Sequence, residues 1–375
     1  MKTNPGIKAL VLIASLLLLI PISKSWYSFL ARTIFYDELL KYKILTKSTA
    51  AVSECRFSEI ENYSIPKKVH INGIDYTVTC IGNSAFKYCS SLKNIEIPES
   101  VTSIGIYAFE YCSSLESIKI PASVTSIEES TFYGCSKLSN VEILESVTSI
   151  GKYAFEDCSS LESIKIPASV TSIEESTFYG CSKLNNVEIP ESVTHIGKAA
   201  FEDCSSLENI EIPESVTSIE ESTFNGCSKL NNVEIPENVT SIRDRAFFKC
   251  SSLENIEIPE SVTHIGKAAF ENCSSLESIK IPASVTSIEE STFNGCSELR
   301  NVEIPESVTI IGKYAFQNCS RLYSIEIPTN VTKIEDYAFD GCNNLRVIIY
   351  YNSGDDVVIG YNAFKGCRSI TYKSE

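Results

Sequence analysis

Fifteen cysteines are the most reactive side chains in this 375-residue chain, and their spacing limits what they can do. From Cys89 to Cys342 they recur every 23 residues, and Cys367 follows after 25. Zinc ligation needs short Cys pairs or accompanying His, and the chain holds only 3 His, so the column is not read as a metal centre. Copies stacked about 5 Å apart would bring neighbouring thiols within bridging reach. Every bridge would then have to fit the packing between coils, and an odd total leaves one thiol over. A Phe stands three residues before each of these Cys, from Phe86 to Phe364, which favours a column of small buried hydrophobes. Outside the column, Cys55 and Cys80 are the better-placed disulfide pair.

Carboxylates form a second column, at Glu96, Glu142, Glu188, Glu211, Glu234, Glu257, Glu303 and Glu326, with Lys119, Lys165 and Lys280 interspersed. Two residues earlier runs a polar ladder of Asn186, Asn209, Asn232 and Asn255. Glu188, Glu211, Glu234 and Glu257 are four consecutive members, expected roughly 5 Å apart in a parallel stack. Such a face suits basic partners or divalent cations; the plainer reading is a solvated surface that keeps a sheet soluble. Calcium-loop spacing of acids with Gly is missing, so no metal or cofactor is expected. His195 and His264 replace Ser singly and read as surface variation. GxSxG, P-loop and HExxH motifs do not occur, and near-identical copies lack the unique asymmetric constellation of an enzyme. No catalytic activity is therefore expected. Sequons at Asn62, Asn238, Asn272, Asn318 and Asn330 arise easily in repeats rich in Asn, Ser and Thr.

The columns imply the elements that position them. The unit I-G-x-x-A-F-x-x-C-S-x-L-x-x-I-x-I-P-x-S-V-T-x starts at Ile81 and runs for eleven full copies to Lys333. A 25-residue copy, 334–358, and a truncated one from Ile359 bring the total to thirteen. Residues 104–149 and 150–195 differ at five of 46 positions, so the array also carries a two-copy period. Eight apolar positions in the first copy, including Ile81, Phe86, Cys89, Leu92 and Val101, cannot bury themselves alone and require stacking. Ile95-Glu96-Ile97 alternates and is β-branched, which predicts a strand; Val101 to Ile104 predicts a second, and Pro98 fits between them. Ala-Phe-x-x-Cys is too short for a stable helix and predicts a turn or 3₁₀ segment. Gly, Asn or Asp often precedes the Cys, which predicts positive φ there; Tyr88, Tyr111 and Lys249 are the exceptions in type. The expected fold is a β-rich repeat solenoid of 23-residue coils with parallel β ladders, on the order of 60 Å long.

Net charge is −16, and the first 53 residues carry seven bases against two acids, so the rest is strongly acidic. That body repels phosphate backbones and argues against nucleic acid. Lys2 and Lys8 precede the apolar run from Ala9 to Ile20, which is short for a bilayer span and suits an export signal over 1–25, cut before Trp26. An uncleaved N-terminal anchor is the alternative, and the only membrane attachment expected. Residues 26–53 read as a linker or cap extension, 54–80 as an N-terminal cap with a tight hairpin at Asn72-Gly73, 81–358 as twelve repeats, and 359–375 as a truncated repeat and C-terminal cap.

The unit AFxxCSSLxxIxIPxSVTSI, as it stands from Ala108, closely resembles the leucine-rich repeats of BspA-like surface proteins. The resemblance covers residues 81–375 and, more loosely, the cap. It implies an exported leucine-rich-repeat protein, secreted or at the cell surface, that binds extracellular proteins non-covalently in adhesion to host matrix or neighbouring cells. The alternative is a structural or immune-evasion coat without a specific ligand. The face expected to meet a partner comprises Asn186, Glu188, Asn209, Glu211, Asn232, Glu234, Asn255 and Glu257.

Overall fold

The structure, a computed structural model, describes residues 34–36, 39–56, 59–352 and 357–374. The expected export signal over 1–25 lies outside them. Most coils contribute two short strands and one arc, and coils stack in parallel with no helix among the described residues. The first strand falls on Asn94–Glu96 in the first copy, one residue earlier than the alternation suggested; Ile95 is buried and Glu96 exposed, as the pleat requires. The second strand is only Ser103–Ile104. Between them Val101 N–H donates to Pro98 C=O at 2.9 Å, so proline closes a turn and leaves no ladder position unfilled.

The first strand column closes mainly two coils at a time. Ser117–Lys119 pairs with Asn140–Glu142, Ser163–Lys165 with Asn186–Glu188, Asn209–Glu211 with Asn232–Glu234, and Ser278–Lys280 with Asn301–Glu303. No full ladder joins Asn186–Glu188 to Asn209–Glu211. The two-copy period of the sequence thus reappears as doublets of strands.

The most continuous hydrogen bonding lies in the Phe–Cys arc instead. Ser84, Phe86 and Tyr88 donate N–H to Ile106, Ala108 and Glu110 of the next coil at 2.8–2.9 Å, and this triple contact recurs at each junction up to that between Phe339 and Ala363. The intervening residues close local 3₁₀-type bonds, such as Lys87 N–H to Ser84 C=O and Cys89 N–H to Phe86 C=O. The predicted turn is therefore also an inter-coil ladder. All thirteen pre-cysteine residues have positive φ, including Tyr88 (63°), Tyr111 (57°) and Lys249 (60°). A second column, five residues before each Cys, shares that conformation with no glycine in it: Ser84, Tyr107, Ser130, Ala199 and Arg245 are members. An L-residue held there costs roughly 1–2 kcal/mol, which the paired arc amide offsets.

Side chains inside the coils form columns. All thirteen Phe rings from Phe86 to Phe364 stack on their neighbours, with centroids 5.1–5.9 Å apart. Leu92, Val101 and their counterparts line the rest of the core.

The N-terminal end is covered. Strands β1 (Ile34–Tyr36), β2 (Leu40–Ile44), β3 (Thr49–Cys55), β4 (Asn62–Ser64), β5 (Lys68–Ile71) and β6 (Ile74–Ile81) precede the first regular coil. One sheet runs β1-β2-β3-β6-β5, with Ser103–Ile104 joined to β6, while β4 starts the first strand column. The β5–β6 hairpin turns at Asn72 and Gly73, both with positive φ. Leu40, Tyr42, Ala50 and Val52 are buried against the stack, so the segment 40–55 packs with the covering sheet.

Candidate functional site

The cysteine column is built for packing. Cys112 through Cys342 are fully buried free thiols, and each Sγ–H from Cys112 to Cys342 donates to the Phe carbonyl of the preceding coil, as Cys227 Sγ does to Phe201 O at 3.1 Å. That bond explains why the column keeps Cys where Ala or Val would satisfy hydrophobicity alone. Burial drives the thiol acidity down, pushing the Cys112 pKa up to about 12, so these sulfurs are poor nucleophiles.

The expected pairing of Cys55 with Cys80 is not present: neither is in a disulfide. In the parallel β3–β6 pair Cys80 lies opposite Ala51, and Cys55 sits four residues further along β3, roughly 13 Å away and beyond disulfide reach. The Cys55 sulfur instead hydrogen-bonds that of Cys89, which raises the Cys89 pKa together with burial.

The acidic column lies on the outer face of the first strands. Asn186, Glu188, Asn209, Glu211, Asn232 and Glu234 occupy the ends of three strands and are exposed, while Val187, Ile210 and Val233 between them are buried. Asn255 makes a single bridge to Ser278, and Glu257 lies exposed beyond it. Glu211 and Glu234 are register partners, whereas Glu188 faces Lys165, whose Nζ is 3.7 Å from its carboxylate. Lys119–Glu142 is a second such pair. Among the described residues Glu211, Glu234 and Glu257 form no ion pair, so three of the four carboxylates expected on this face are uncompensated. A shallow hollow of about 550 Å³ lies elsewhere on the same strand face, lined by Tyr63, Asn94, Glu96, Ser117 and Lys119. His195 and His264 sit exposed at the starts of second strands.

A second carboxylate column, directly after the Phe, escaped the sequence reading because its residue types vary. Here Glu110 pairs with Lys87 at 2.6 Å, Glu202 accepts from Asn225 at 2.7 Å and Glu271 from Asn294 at 3.1 Å. Glu156 occupies the same position between Tyr133 and Tyr179 and has no side-chain hydrogen bond among the described residues. Burial, reinforced by the charges of Asp157 and Glu175, pushes its carboxyl up to about 7. A folded-state pKa above the unfolded value of 4.5 means the native chain holds a proton that the unfolded chain releases. Stability therefore falls as pH rises from about 4.5 to 7 and levels off above that window. Thermal melts should show Glu156→Gln stabilising the protein at pH 8 and leaving it unchanged near pH 4. Equal effects at both pH values would exclude the linkage.

Comparison with known proteins was consistent along nearly the whole chain. A family model described as the BspA type leucine rich repeat region matches residues 59–168, 148–277 and 264–373. No curated protein sequence matches. A leucine-rich repeat protein from Bacteroides ovatus is similar at 33% identity and TM-score 0.77, over 89% of this chain and 92% of that one. A leucine rich cell surface protein from Faecalibacterium prausnitzii aligns at 32% identity and TM-score 0.65, over 86% and 95%. The pneumococcal vaccine antigen PcpA shares the fold at 22% identity and TM-score 0.66, over 91% and 98%.

Proposed function

Because the chain belongs to the family of BspA type leucine-rich repeat proteins, we propose that it is exported and binds extracellular proteins non-covalently, acting in adhesion to host matrix or neighbouring cells. The Faecalibacterium relative is a cell surface protein, which supports a location outside the cell. The observation that carries the binding reading is the run of unpaired carboxylates at Glu211, Glu234 and Glu257, flanked by Glu188 and the Asn186–Asn255 ladder. Glu188, Glu211 and Glu234 are held on strands whose backbone is already ordered, so a partner meets them at little conformational cost. Each exposed pair is worth little alone, and repetition along the stack sums them. The fitting partner is a basic protein surface, and its capture weakens with salt.

Replacing Glu188, Glu211, Glu234 and Glu257 together by Lys tests this directly. Immobilised wild-type protein should retain proteins from a solubilised extracellular-matrix preparation, and the quadruple variant should lose at least 90% of that retention (on the order of 1.4 kcal/mol or more). Equal recovery by the two proteins would remove the acidic face as the binding surface.

A further inference from the structure

One cysteine of the column is unlike the rest. Each thiol from Cys112 to Cys342 donates to the Phe carbonyl of the preceding coil, and Phe86 is the first Phe of that column. Cys89 therefore has no such carbonyl beneath it, and its sulfur hydrogen-bonds that of Cys55 instead. The end of β3 is held at this place by its backbone. Gly82 N–H donates to Val52 C=O at 2.7 Å, and Cys55 N–H donates to Ala85 C=O at 2.5 Å, four residues before Cys89. Cys55 ends a strand of the covering sheet and Cys89 opens the regular array, so the two sulfurs meet across the junction between cap and first coil.

Exposure sets this pair apart from other close thiols. The sulfurs of Cys319 and Cys342 are also hydrogen-bonded, but both residues have no exposure, so no oxidant reaches them. Cys55 is half-buried, and Cys89 retains 3%. The hydrogen bond to Cys55, reinforced by burial, holds the proton on Cys89, which leaves Cys55 as the sulfur that attacks first. We infer that Cys55 and Cys89 are a disulfide-forming pair that fastens the covering sheet to the first coil when a small-molecule disulfide is present. The Cys55 thiolate attacks that disulfide, forming a mixed disulfide and expelling one thiol. Cys89 then gives up its proton, and its sulfur displaces the second thiol from Cys55. One external disulfide has thus been reduced to two thiols while two protein thiols are oxidised. From sulfurs already in contact, a bond of about 2 Å needs side-chain rotation and no movement of β3. The bridge closes residues 55–89, β4 to β6 included, into one loop. It is independent of the acidic strand face and of what that face binds.

The test treats the reduced, folded full chain with glutathione disulfide, then unfolds it in guanidinium with excess N-ethylmaleimide and maps the peptides. Fifteen cysteines less the two bridged should leave thirteen alkylated, with a single cross-linked peptide joining Cys55 to Cys89. Cys80→Ser should leave that peptide unchanged, and Cys89→Ser should hold glutathione on Cys55 as a stable adduct. Hydrogen exchange at the amides of β3 should slow about tenfold on oxidation of the wild-type chain and not at all in Cys55→Ser. Cys55 joined to Cys80, a bridge confined to the column, or fifteen alkylated cysteines would overturn the pairing. An unchanged exchange rate in β3 after the bridge has formed would overturn its fastening role. The wild-type map needs no variant, so a serine variant that fails to fold still leaves the pairing decided.

Discussion

Phe224→Ala should lower stability by about 3–5 kcal/mol, the ordinary cost of removing a buried phenyl ring. Phe224 has no exposure and stacks on Phe201 at 5.9 Å and on Phe247 at 5.4 Å, so two ring contacts are lost together. A solenoid couples only nearest neighbours, and the damage therefore concentrates at two junctions instead of spreading. Calorimetry should show a lower or divided transition, and amide exchange should accelerate first around Phe201, Phe224 and Phe247. Phe364→Ala provides the internal comparison: that ring has one stacking partner, Phe339, and is only partly buried. A smaller loss at Phe364 is expected; equal losses would mean that the aromatic column does not set the stability of the coils it joins.

Gly226→Val should cost on the order of 3 kcal/mol, from two separable sources. The φ of Gly226 is 75°, a conformation a β-branched residue adopts only under strain. In addition, a Cβ at this position runs into Oδ1 of Asp203 in the preceding coil. The arrangement recurs at Gly180 with Asp157 and at Gly295 with Asn272, so one coil's side chain occupies the space the next coil's glycine leaves open. Asp203→Ala removes the collision and leaves the backbone strain. Denaturant titration of the double variant should recover about 1 kcal/mol or more of the loss, a coupling that distinguishes steric fit from conformational strain. Strict additivity would show that the two side chains do not compete for the same volume.

This glycine–acid alternation also follows the two-copy period over part of the array. From Asp157 to Gly226 and again at Asn272–Gly295 and Asn318–Gly341 the side chain of one pre-cysteine site fills the space of the next coil's glycine, while Tyr88–Tyr111 and Lys249–Asn272 set two side chains in succession. That relationship was half visible in the chain, where Gly alternates with Asp or Asn, but the contact between coils was not. The pre-cysteine turn was legible from those same residues, because Gly, Asn and Asp report tolerance of positive φ. Its counterpart at Ser84, Tyr107, Ala199 and Arg245 was not, because these types carry no such preference and accept the conformation only through bonds from the next coil. The acidic strand face was readable from spacing, whereas its division into an ion-paired Glu188 and unpaired Glu211, Glu234 and Glu257 depends on which residue of the neighbouring coil lies opposite.

By itself, the amino-acid order determined the coil length, the residues that point inward and the parallel stacking, because apolar positions recurring every 23 residues have no shelter except their own images. Tertiary structure alone decided that the Phe–Cys arc is the continuous hydrogen-bonded seam and that Cys55 meets Cys89 instead of Cys80. Those outcomes depend on the alignment of one coil against the next. Hydrogen bonds and side-chain volumes across a junction belong to pairs of coils, and a pattern read along one coil does not contain them.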